Sequence, residues 1–328
     1  MGLLSRFSLT DLRPRADGLD LARDAKEGLL GRPKSLRPVY FYDEAGSRLF
    51  EEITRAPEYY LTRTELSILQ EHVRDIVGEG TGPMTLVELG SGSSLKTRAF
   101  IEALLARQGL LDYVPIDVSR SALLDAGRAL LADYAGLRVA ACAATYETAL
   151  NWLADRPRLP ALFLFLGSSV GNFVPEEARR LLSRVAASLR EGDALVLGAD
   201  LDKDPRVLEA AYNDEAGVTA RFNLNLLARL NEELGATFRL EDFEHRAFYD
   251  AAARRVEMHL ISRRAHRVEL RALRTSVAFE AGESIHTEDS HKFALEQLDG
   301  LAARCGLATR GRWVDARGYF SVNRFERA

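Results

Sequence analysis

The chain has 328 residues, of which 47% are hydrophobic and 28% are charged, and its formal net charge at pH 7 is -4. These values are ordinary for a globular protein, and the length allows one large domain or two smaller ones. The small negative charge and the lack of a base-reading motif exclude an obvious nucleic-acid partner. No apolar run is long enough for a membrane span, and the N-terminal segment lacks the apolar core of a signal peptide, so we expect a cytosolic protein with no membrane partner.

The two cysteines, Cys142 and Cys305, lie far apart in separate apolar stretches. We interpret them as core thiols in a reducing compartment. The six histidines are scattered, and no Cys/His cluster has zinc spacing. His286 and His291 lack an evident third ligand, so we interpret both as surface residues and expect no metal ion.

From about Met84 to Leu201, short apolar runs alternate with helical patterns. The run Ala161–Leu166 is apolar on both faces, as expected of a central parallel strand covered by helices. This order predicts an α/β fold with a doubly wound, Rossmann-like sheet. The predicted strands are Thr85–Leu89, Tyr113–Val118, Val139–Ala143, Ala161–Leu166 and Ala194–Leu197. The predicted helices are Leu95–Arg107, Ser121–Asp133, Tyr146–Ala154 and Glu176–Arg190.

The regions on either side follow other patterns. Before Met84 the chain is predicted to be helical, with a loop around Pro57–Tyr60. After Leu201 a helix with apolar residues every four positions precedes several strand-like segments. We expect a smaller α+β second domain. The expected boundaries are 1–63 for a helical segment joining the second domain, 64–201 for the first part of the sheet domain, 202–292 for the second domain, and 293–328 for a return to the sheet domain.

A glycine-containing loop follows the first predicted strand. Residues 88–94 read Glu-Leu-Gly-Ser-Gly-Ser-Ser and lead into a helix, where glycines allow close backbone approach to a ligand. The third glycine of the dinucleotide fingerprint is replaced by Leu95, which argues against NAD. Glu88 before the loop suits a cofactor carrying an ammonium and a sulfonium. The alternative is a tight strand-to-helix turn without a ligand.

Asp117 ends the second predicted strand of this segment. A carboxylate at this place can accept hydrogen bonds from both ribose hydroxyls of a nucleoside. The alternative is a helix N-cap, a role that aspartate also fills. The order of loop, helix, strand and acid favours nucleoside binding.

The segment Leu86–Thr97 resembles the first motif of the histidine-specific Nα-methyltransferases of ergothioneine biosynthesis. The resemblance continues in the expected order over nearly the whole chain, and the combination is much more specific than any single motif. The other matching segments are Tyr40–Asp43, Pro57–Arg63, Phe165–Asn172, Tyr212–Thr219, Val256–Met258 and Thr287–Phe293.

The resemblance implies a class I methyltransferase domain that binds S-adenosylmethionine (SAM), a smaller substrate-binding domain, and a monomer acting on an amino acid. It implies cofactor contacts from Gly90, Ser91, Gly92, Lys96, Asp117, Thr145 and Tyr146. It implies substrate contacts from Tyr42, Tyr59, Asn172, Tyr212, Met258, Glu288 and Ser290. Asn172, Tyr59 and Tyr212 would be the catalytic residues.

Residue types alone leave several of these roles open. Asn172 suits a turn as well as a ligand site, and Tyr59, Tyr212 and Met258 suit core packing. Where the family usually has an acidic residue before an aromatic one, this chain has Thr145 before Tyr146. A hydroxyl can still hydrogen-bond the adenine amine, but without the strength that a charge adds.

The segment Thr287–Lys292 is polar on both faces of a predicted strand, Ile285–Phe293. Alternation places Glu288, Ser290 and Lys292 together, so they either line a polar pocket or lie exposed at a sheet edge. In a pocket, Glu288 and Ser290 could hydrogen-bond the two imidazole nitrogens of histidine.

These observations predict a SAM-dependent L-histidine Nα-methyltransferase that forms the trimethylated product hercynine. Methylation of another amino acid, such as tryptophan or a histidine derivative, remains an alternative, because a few residues could redirect the pocket. Two alternatives lie outside this class. An NAD oxidoreductase is disfavoured because the chain lacks the third glycine of the dinucleotide fingerprint. A noncatalytic SAM-binding domain is disfavoured because it would not need Asn172, Tyr212 and Glu288 together.

Overall fold

The structure is a computed structural model that describes residues 6–13, 21–78, 80, 82–154, 156 and 158–328. The described chain forms two compact units. Unit 1 contains residues 6–13, Leu61–Asp202 and Lys292–Ala328, and unit 2 contains residues 21–60 and Lys203–His291. The N-terminal residues inspected for a signal peptide lie mostly outside the described part.

The described strands, in chain order, are β1 (Phe7–Asp11), β2 (Lys34–Ser35), β3 (Thr85–Leu89), β4 (Leu111–Asp117), β5 (Leu137–Ala143), β6 (Ala161–Phe165), β7 (Ala194–Asp200), β8 (Phe243–Asp250), β9 (Arg255–Ser262), β10 (His266–Leu270), β11 (Thr275–Phe279), β12 (Ser284–His291), β13 (Leu307–Val314) and β14 (Phe320–Arg327).

The described α-helices are α1 (Leu21–Leu30), α2 (Glu44–Ile53), α3 (Tyr60–Val77), α4 (Thr97–Gln108), α5 (Arg120–Asp133), α6 (Tyr146–Ala154), α7 (Pro175–Ser188), α8 (Pro205–Tyr212), α9 (Val218–Leu234) and α10 (Leu295–Arg304). Short 3-10 turns include Pro38–Phe41 and Ser169–Asn172. None of the helices in the described ranges is both long and apolar enough to cross a membrane.

Unit 1 is built on an eight-stranded sheet in the order β1-β5-β4-β3-β6-β7-β14-β13. The strands from β1 to β7 in this order are parallel, and β14 and β13 add antiparallel to β7. Every residue of β3, β6 and β7 is buried, since helices cover both faces of the central strands. The prediction of an α/β fold with a doubly wound sheet is confirmed.

The strand order reverses at β3, which pairs with β4 on one side and β6 on the other. In an open α/β sheet this switch point is where ligands bind, outside the carboxyl ends of the strands. Gly90 follows β3, Asp117 ends β4, and Asn172 lies in the turn after β6. The topology therefore brings three of the predicted site residues to one edge of the sheet.

The prediction of helices before Met84, apart from a loop around Pro57–Tyr60, is wrong at two places. β1 pairs in parallel with β5, with Phe7 opposite Val139, and β2 pairs with β12 in unit 2. Phe7 packs so closely on α5 that a Cβ at Gly127 would lie 2.4 Å from its ring. Five residues are too few for a reliable period, so pairing with β5 decides this segment rather than local pattern.

Unit 2 contains a four-stranded sheet, β2-β12-β9-β8, and a separate hairpin of β10 and β11. The four-residue repeat of α9 forms its buried face, which is confirmed for Phe222, Leu226, Leu230 and Leu234. β8, β9 and β12 are antiparallel neighbours, whereas β2 meets only the start of β12. This sheet carries the polar segment that the sequence singles out.

Candidate active site

The loop between β3 and α4 places backbone donors at the switch point of unit 1. Gly90 and Gly92 have φ angles of 72° and 48°, a region that favours glycine. The N–H of Gly90 donates to the carbonyl of Ile116 at 2.8 Å, and that of Gly92 donates to Asp117 Oδ2 at 2.9 Å. A Cβ at Gly90 would lie 2.7 Å from the Tyr146 hydroxyl, so this glycine is needed for packing as well as for φ.

The same loop fits a polar ligand. The Ser91 hydroxyl is buried and has no hydrogen-bond partner within the described part of the chain. A Cβ built at Gly92 meets nothing within 4 Å, so the backbone there borders open space. Buried polar groups normally find partners. An unsatisfied hydroxyl beside an open glycine therefore suits the polar groups of a nucleoside cofactor such as SAM.

Asp117 is tied to the glycine loop rather than to a helix start. Its Oδ1 accepts the Ser119 N–H at 2.8 Å, and its Oδ2 accepts the Gly92 N–H. The N-cap of α5 is Ser119, whose hydroxyl accepts the Ala122 N–H, so the interpretation of Asp117 as the helix N-cap is wrong. Burial raises the pKa of Asp117, against the lowering effect of the backbone donors.

Tyr146 and Thr145 begin α6. The Tyr146 ring packs edge-on against Phe165, with centroids 5.4 Å apart, and burial raises the pKa of its hydroxyl. Thr145 Oγ1 donates to Thr148 Oγ1 at 3.0 Å and accepts the Thr148 N–H at 3.4 Å. With its proton engaged in this way, the Thr145 hydroxyl has only acceptor capacity left, which is the sense that an adenine amine would require.

Lys96 is held by a carboxylate that the sequence did not single out. Its ammonium donates to Glu65 Oε2 at 2.6 Å, and the Gly167 N–H donates to the same carboxylate at 2.9 Å. Glu65 is fully buried, and a Cβ at Gly198 would lie 2.0 Å from its Oε1. Glu65 thus joins the glycine loop to the turn after β6. A lone glutamate in a helical pattern carries no local signal of this role.

Glu88 has a different environment from the one expected. It is buried beneath the loop, where Thr97 donates to Oε1 at 2.8 Å and the Tyr113 hydroxyl donates to Oε2. Burial raises the pKa of Glu88 to about 7, although these hydrogen bonds and Lys96 act in the opposite direction. The expectation that Glu88 faces the charged groups of a cofactor is replaced by a structural role in the loop.

Asn172 ends the 3-10 turn after β6 and is half-buried. The turn is entered through Ser168, a non-glycine residue with a φ of 57°, and the Ser168 hydroxyl accepts the Asp200 N–H at 2.9 Å. A left-handed conformation in a non-glycine residue costs free energy and is often found at functional sites. The position of Asn172 is compatible with both the turn role and ligand binding.

In unit 2, an aromatic series brings three predicted tyrosines together. Tyr42 lies edge-on to Phe50 at 5.7 Å between centroids, Phe50 to Tyr59 at 6.3 Å, and Tyr59 to Tyr212 at 6.3 Å. Edge-to-face contacts at these distances are favourable. Phe222 on α9 also packs against Tyr42 and Phe50. Phe50 and Phe222 were missed, since neither stands out from ordinary core residues in the sequence.

The sheet of unit 2 extends this group. Met258 on β9 is directly opposite Glu288 on β12, and both are buried. Ser290 lies two residues further along the same face, where its Oγ accepts the Tyr212 hydroxyl at 2.7 Å. All six predicted residues of unit 2 are therefore joined by aromatic contact, hydrogen bond or strand register. The exposed-edge interpretation of this segment is wrong, because residues 287–290 are buried.

Two residues that the sequence did not indicate, His245 and Asn223, hold the backbone of Tyr212 in place. His245 Nε2 donates to the Tyr212 carbonyl at 2.8 Å, and Asn223 Nδ2 donates to His245 Nδ1 at 2.9 Å. Burial lowers the pKa of His245, which keeps the ring neutral, as these two bonds require. Asp214, just after Tyr212, accepts the N–H groups of Val218 and Thr219 and so starts α9.

Three further residues differ from the sequence interpretation. β12 ends at His291, and Lys292 belongs to unit 1, where it forms a fully buried ion pair with Asp200 at 2.9 Å. Lys292 therefore does not alternate with Glu288 and Ser290 along β12. His286 and His291 are half-buried rather than on the surface, and His286 bonds Asp289 and lies near Glu257 and His259.

Comparison with known proteins identifies the family. A family model described as histidine-specific, SAM-dependent methyltransferase matches residues 21–327. The histidine N-alpha-methyltransferase of Mycolicibacterium smegmatis is 44% identical over 303 residues, covering 92% of this chain and 94% of the relative. The chain belongs to the SAM-dependent, histidine-specific methyltransferase family.

Other relatives of this family member range in both name and similarity. The histidine N-alpha-methyltransferase of Mycobacterium tuberculosis is 42% identical over 308 residues, covering 94% of this chain and 95% of the relative. The N-methyltransferase imqF of Aspergillus flavus is 25% identical over 320 residues, covering 95% and 86%. The second name specifies no amino acid.

Proposed function

We propose that this enzyme transfers methyl groups from SAM to the α-amino nitrogen of L-histidine, in three transfers that give hercynine for ergothioneine biosynthesis. The observation that carries the substrate assignment is the buried polar group of Glu288, Ser290 and Tyr212 beside Met258. A carboxylate and two hydroxyls can hydrogen-bond a polar side chain but offer nothing to an apolar one, so their presence together supports a polar side chain in the substrate.

On the cofactor side, we propose that the loop at Gly90–Gly92 approaches the polar end of SAM, with Ser91 and Lys96 supplying donors. Asp117 would accept the ribose hydroxyls, while Tyr146 and Thr145 would contact the adenine. Bound SAM supplies an electrophilic methyl group on a sulfonium, which is already a good leaving group. The protein therefore contributes mainly orientation and exclusion of water.

On the substrate side, the hydrogen bonds define how an imidazole would be recognised. A neutral imidazole has one N–H and one acceptor nitrogen. Glu288 would accept the N–H. Ser290 Oγ accepts the hydrogen bond of the Tyr212 hydroxyl. A serine hydroxyl can donate as well as accept, and we assign Ser290 to the other nitrogen. An indole offers only an N–H, and an aliphatic side chain offers neither, so this arrangement favours histidine.

The amine must lose a proton before it is methylated, because a free amino acid is mostly protonated at neutral pH. We propose that Asn172 and Tyr59 hold the amine and carboxylate with neutral groups, which do not stabilise the ammonium form as a carboxylate would. Tyr212 completes the catalytic set. These assignments extend the family's established cofactor use to particular residues of this chain.

We further propose that the enzyme is a cytosolic monomer. Support for a reducing compartment comes from Cys142 and Cys305, which are both free and buried. Sedimentation of the purified chain at several concentrations tests the monomer directly, and a concentration-dependent mass would contradict it.

The deciding experiment is mass spectrometry of all twenty amino acids, each incubated with the enzyme and SAM. We expect histidine to gain up to three methyl groups and the others to remain unmodified. Preferential methylation of tryptophan would indicate the alternative substrate. Binding of S-adenosylhomocysteine without any methylation would indicate a noncatalytic domain, and tight NAD binding would indicate an oxidoreductase.

A further inference from the structure

The four-stranded sheet of unit 2 carries a second polar group on the face opposite Met258. Alternation along β9 places Glu257 and His259 there, and pairing with β12 places His286 directly opposite His259. One ligand atom from each of Glu257, His259 and His286 lies within 4.8 Å of the others. We refer to these three residues as the His-Glu cluster. None of them belongs to the proposed methyl-transfer site.

The carboxylate of the cluster is oriented by Arg255. Arg255 Nε donates to Glu257 Oε1 at 2.8 Å, whereas Oε2 lies 2.9 Å from His259 Nε2. One oxygen is thus held by the guanidinium, and the other points toward the imidazole. Burial raises the pKa of Glu257, but the bonds to His259 and Arg255 outweigh it and lower the pKa overall. The carboxylate is therefore ionised at neutral pH.

The second imidazole is oriented in a similar way. His286 Nε2 lies 3.0 Å from Asp289 Oδ1, and Arg255 Nε lies 3.2 Å from the same oxygen. The ring of His286 has its centroid 5.1 Å from that of His259. On the other side, Phe248 stacks on His259 at 5.3 Å, which shields this ring from water. The cluster is a supported arrangement rather than three independent surface side chains.

We propose that Glu257, His259 and His286 form a binding site for a single divalent transition-metal ion such as Zn²⁺. Two imidazoles and one carboxylate form a ligand set that such ions use, with solvent completing the coordination. Asp289 and Arg255 would act as supporting residues that orient the ligands. The nitrogen ligands disfavour Mg²⁺ and Ca²⁺, which prefer oxygen.

Metal binding would link β9 to β12 at the point where the register shifts between His286 and Glu288. The opposite face of the same two strands carries Met258, Glu288 and Ser290. A bound ion would therefore stabilise the strand pairing that positions these three residues. Metal binding can be tested separately from methyl transfer, because the metal ligands include none of the residues assigned to histidine or SAM.

The test is calorimetric titration of the untagged protein with Zn²⁺, without histidine, which is itself a chelator. We expect one equivalent to bind, with affinity reduced by about 100-fold or more in His286→Gln and in Glu257→Gln, since loss of even a supporting residue weakens metal sites by 10–100-fold. His72→Gln is the matched control: His72 lies 3.7 Å from Glu71 and 3.9 Å from Asp75, but these form no two-histidine set.

Visible absorption of Co²⁺ added to the same proteins provides a second measurement. In the wild type and in His72→Gln, bound Co²⁺ should show the intense absorption bands that are typical of this ion at a low coordination number. These bands should be absent from His286→Gln. Folding of each variant is checked by circular dichroism, and Glu257→Gln provides the same test if His286→Gln does not fold. No Zn²⁺ binding by the wild type, or equal binding by a folded cluster variant, would overturn the proposal.

Discussion

The residues proposed to bind the cofactor in unit 1 and those proposed to bind the amino-acid substrate in unit 2 are arranged in different ways. In unit 1, Gly90 and Gly92 present backbone groups within a short stretch, and Asp117 receives two backbone N–H groups. In unit 2, the polar groups are side chains from distant segments, such as Tyr212 and Ser290, joined by an antiparallel sheet and a hydrogen bond. Backbone geometry therefore defines the first site, and side-chain chemistry defines the second.

This difference predicts that a single side chain controls substrate use in unit 2. Glu288→Ala should lower kcat/KM for histidine by on the order of 1,000-fold, because an imidazole N–H would lose its charged acceptor in a buried site. The dissociation constant of S-adenosylhomocysteine should remain unchanged. Steady-state kinetics and calorimetry provide the two measurements.

Two variants sharpen this test. Glu288→Gln retains an acceptor oxygen without the charge, so its loss should be intermediate. Glu269→Ala removes an exposed carboxylate from β10 of the same unit and should have no effect. If Glu288→Ala left the kinetics of histidine methylation unchanged, Glu288 would have no place in the site.

In unit 1, the largest effect should be on stability rather than on chemistry. Glu88 has a pKa of about 7 against 4.5 for an exposed glutamate, so the folded state binds its proton more tightly than the unfolded state does. The free energy of unfolding should then fall as the pH rises from 4.5 to 7, by at most about 3 kcal/mol from this group. Glu88→Gln should remove this part of the pH dependence.

Urea unfolding of the wild type and Glu88→Gln between pH 4.5 and pH 8 measures the effect. As the pH rises, the unfolding free energy of the wild type should fall relative to that of Glu88→Gln. Glu71→Gln, at an exposed position on α3, controls for removal of a carboxylate. A difference independent of pH would show that the Glu88 carboxyl titrates normally in the folded protein.

The contrast between the units also explains what the sequence could predict. β3, β6 and the glycine loop follow from local patterns, because buried parallel strands and glycine turns are encoded by neighbouring residues. Glu65 and Asp200 could not be found in this way, since their partners Lys96 and Lys292 are distant in sequence. In unit 2 the residue types alone favoured core packing for Tyr59, Tyr212 and Met258, and only family resemblance indicated a binding role for them. Features formed by residues close together in the sequence could be predicted, whereas pairings between distant residues could not.

A smaller effect is expected when Asp117, the proposed acceptor of the ribose hydroxyls in unit 1, is replaced. Asp117→Ala should weaken binding of S-adenosylhomocysteine by about 2 kcal/mol, roughly 30-fold, because the loop loses a carboxylate that orders Gly92 as well as the acceptor of the ribose hydroxyls. At a saturating cofactor concentration the variant should still methylate histidine, with KM for histidine little changed. Asp117→Asn keeps one acceptor oxygen and should lose less. An unchanged dissociation constant for S-adenosylhomocysteine would assign Asp117 to the loop alone.

The smallest expected effect comes from variants that test whether Tyr212 and Ser290 act together through their hydrogen bond. Tyr212→Phe removes the proton that Ser290 Oγ accepts, and Ser290→Ala removes the acceptor. Each change should raise KM for histidine by about threefold to tenfold, corresponding to the usual net value of one hydrogen bond. Since both changes break the same bond, the double variant should lose less than the sum of the two, with a coupling energy of about 1 kcal/mol. Additive losses would mean that Ser290 orients its proton without help from Tyr212, and that Tyr212 contacts the substrate independently. The coupling energy therefore separates a connected recognition site from a set of separate side chains, which is the property that distinguishes unit 2 from the backbone-defined site of unit 1.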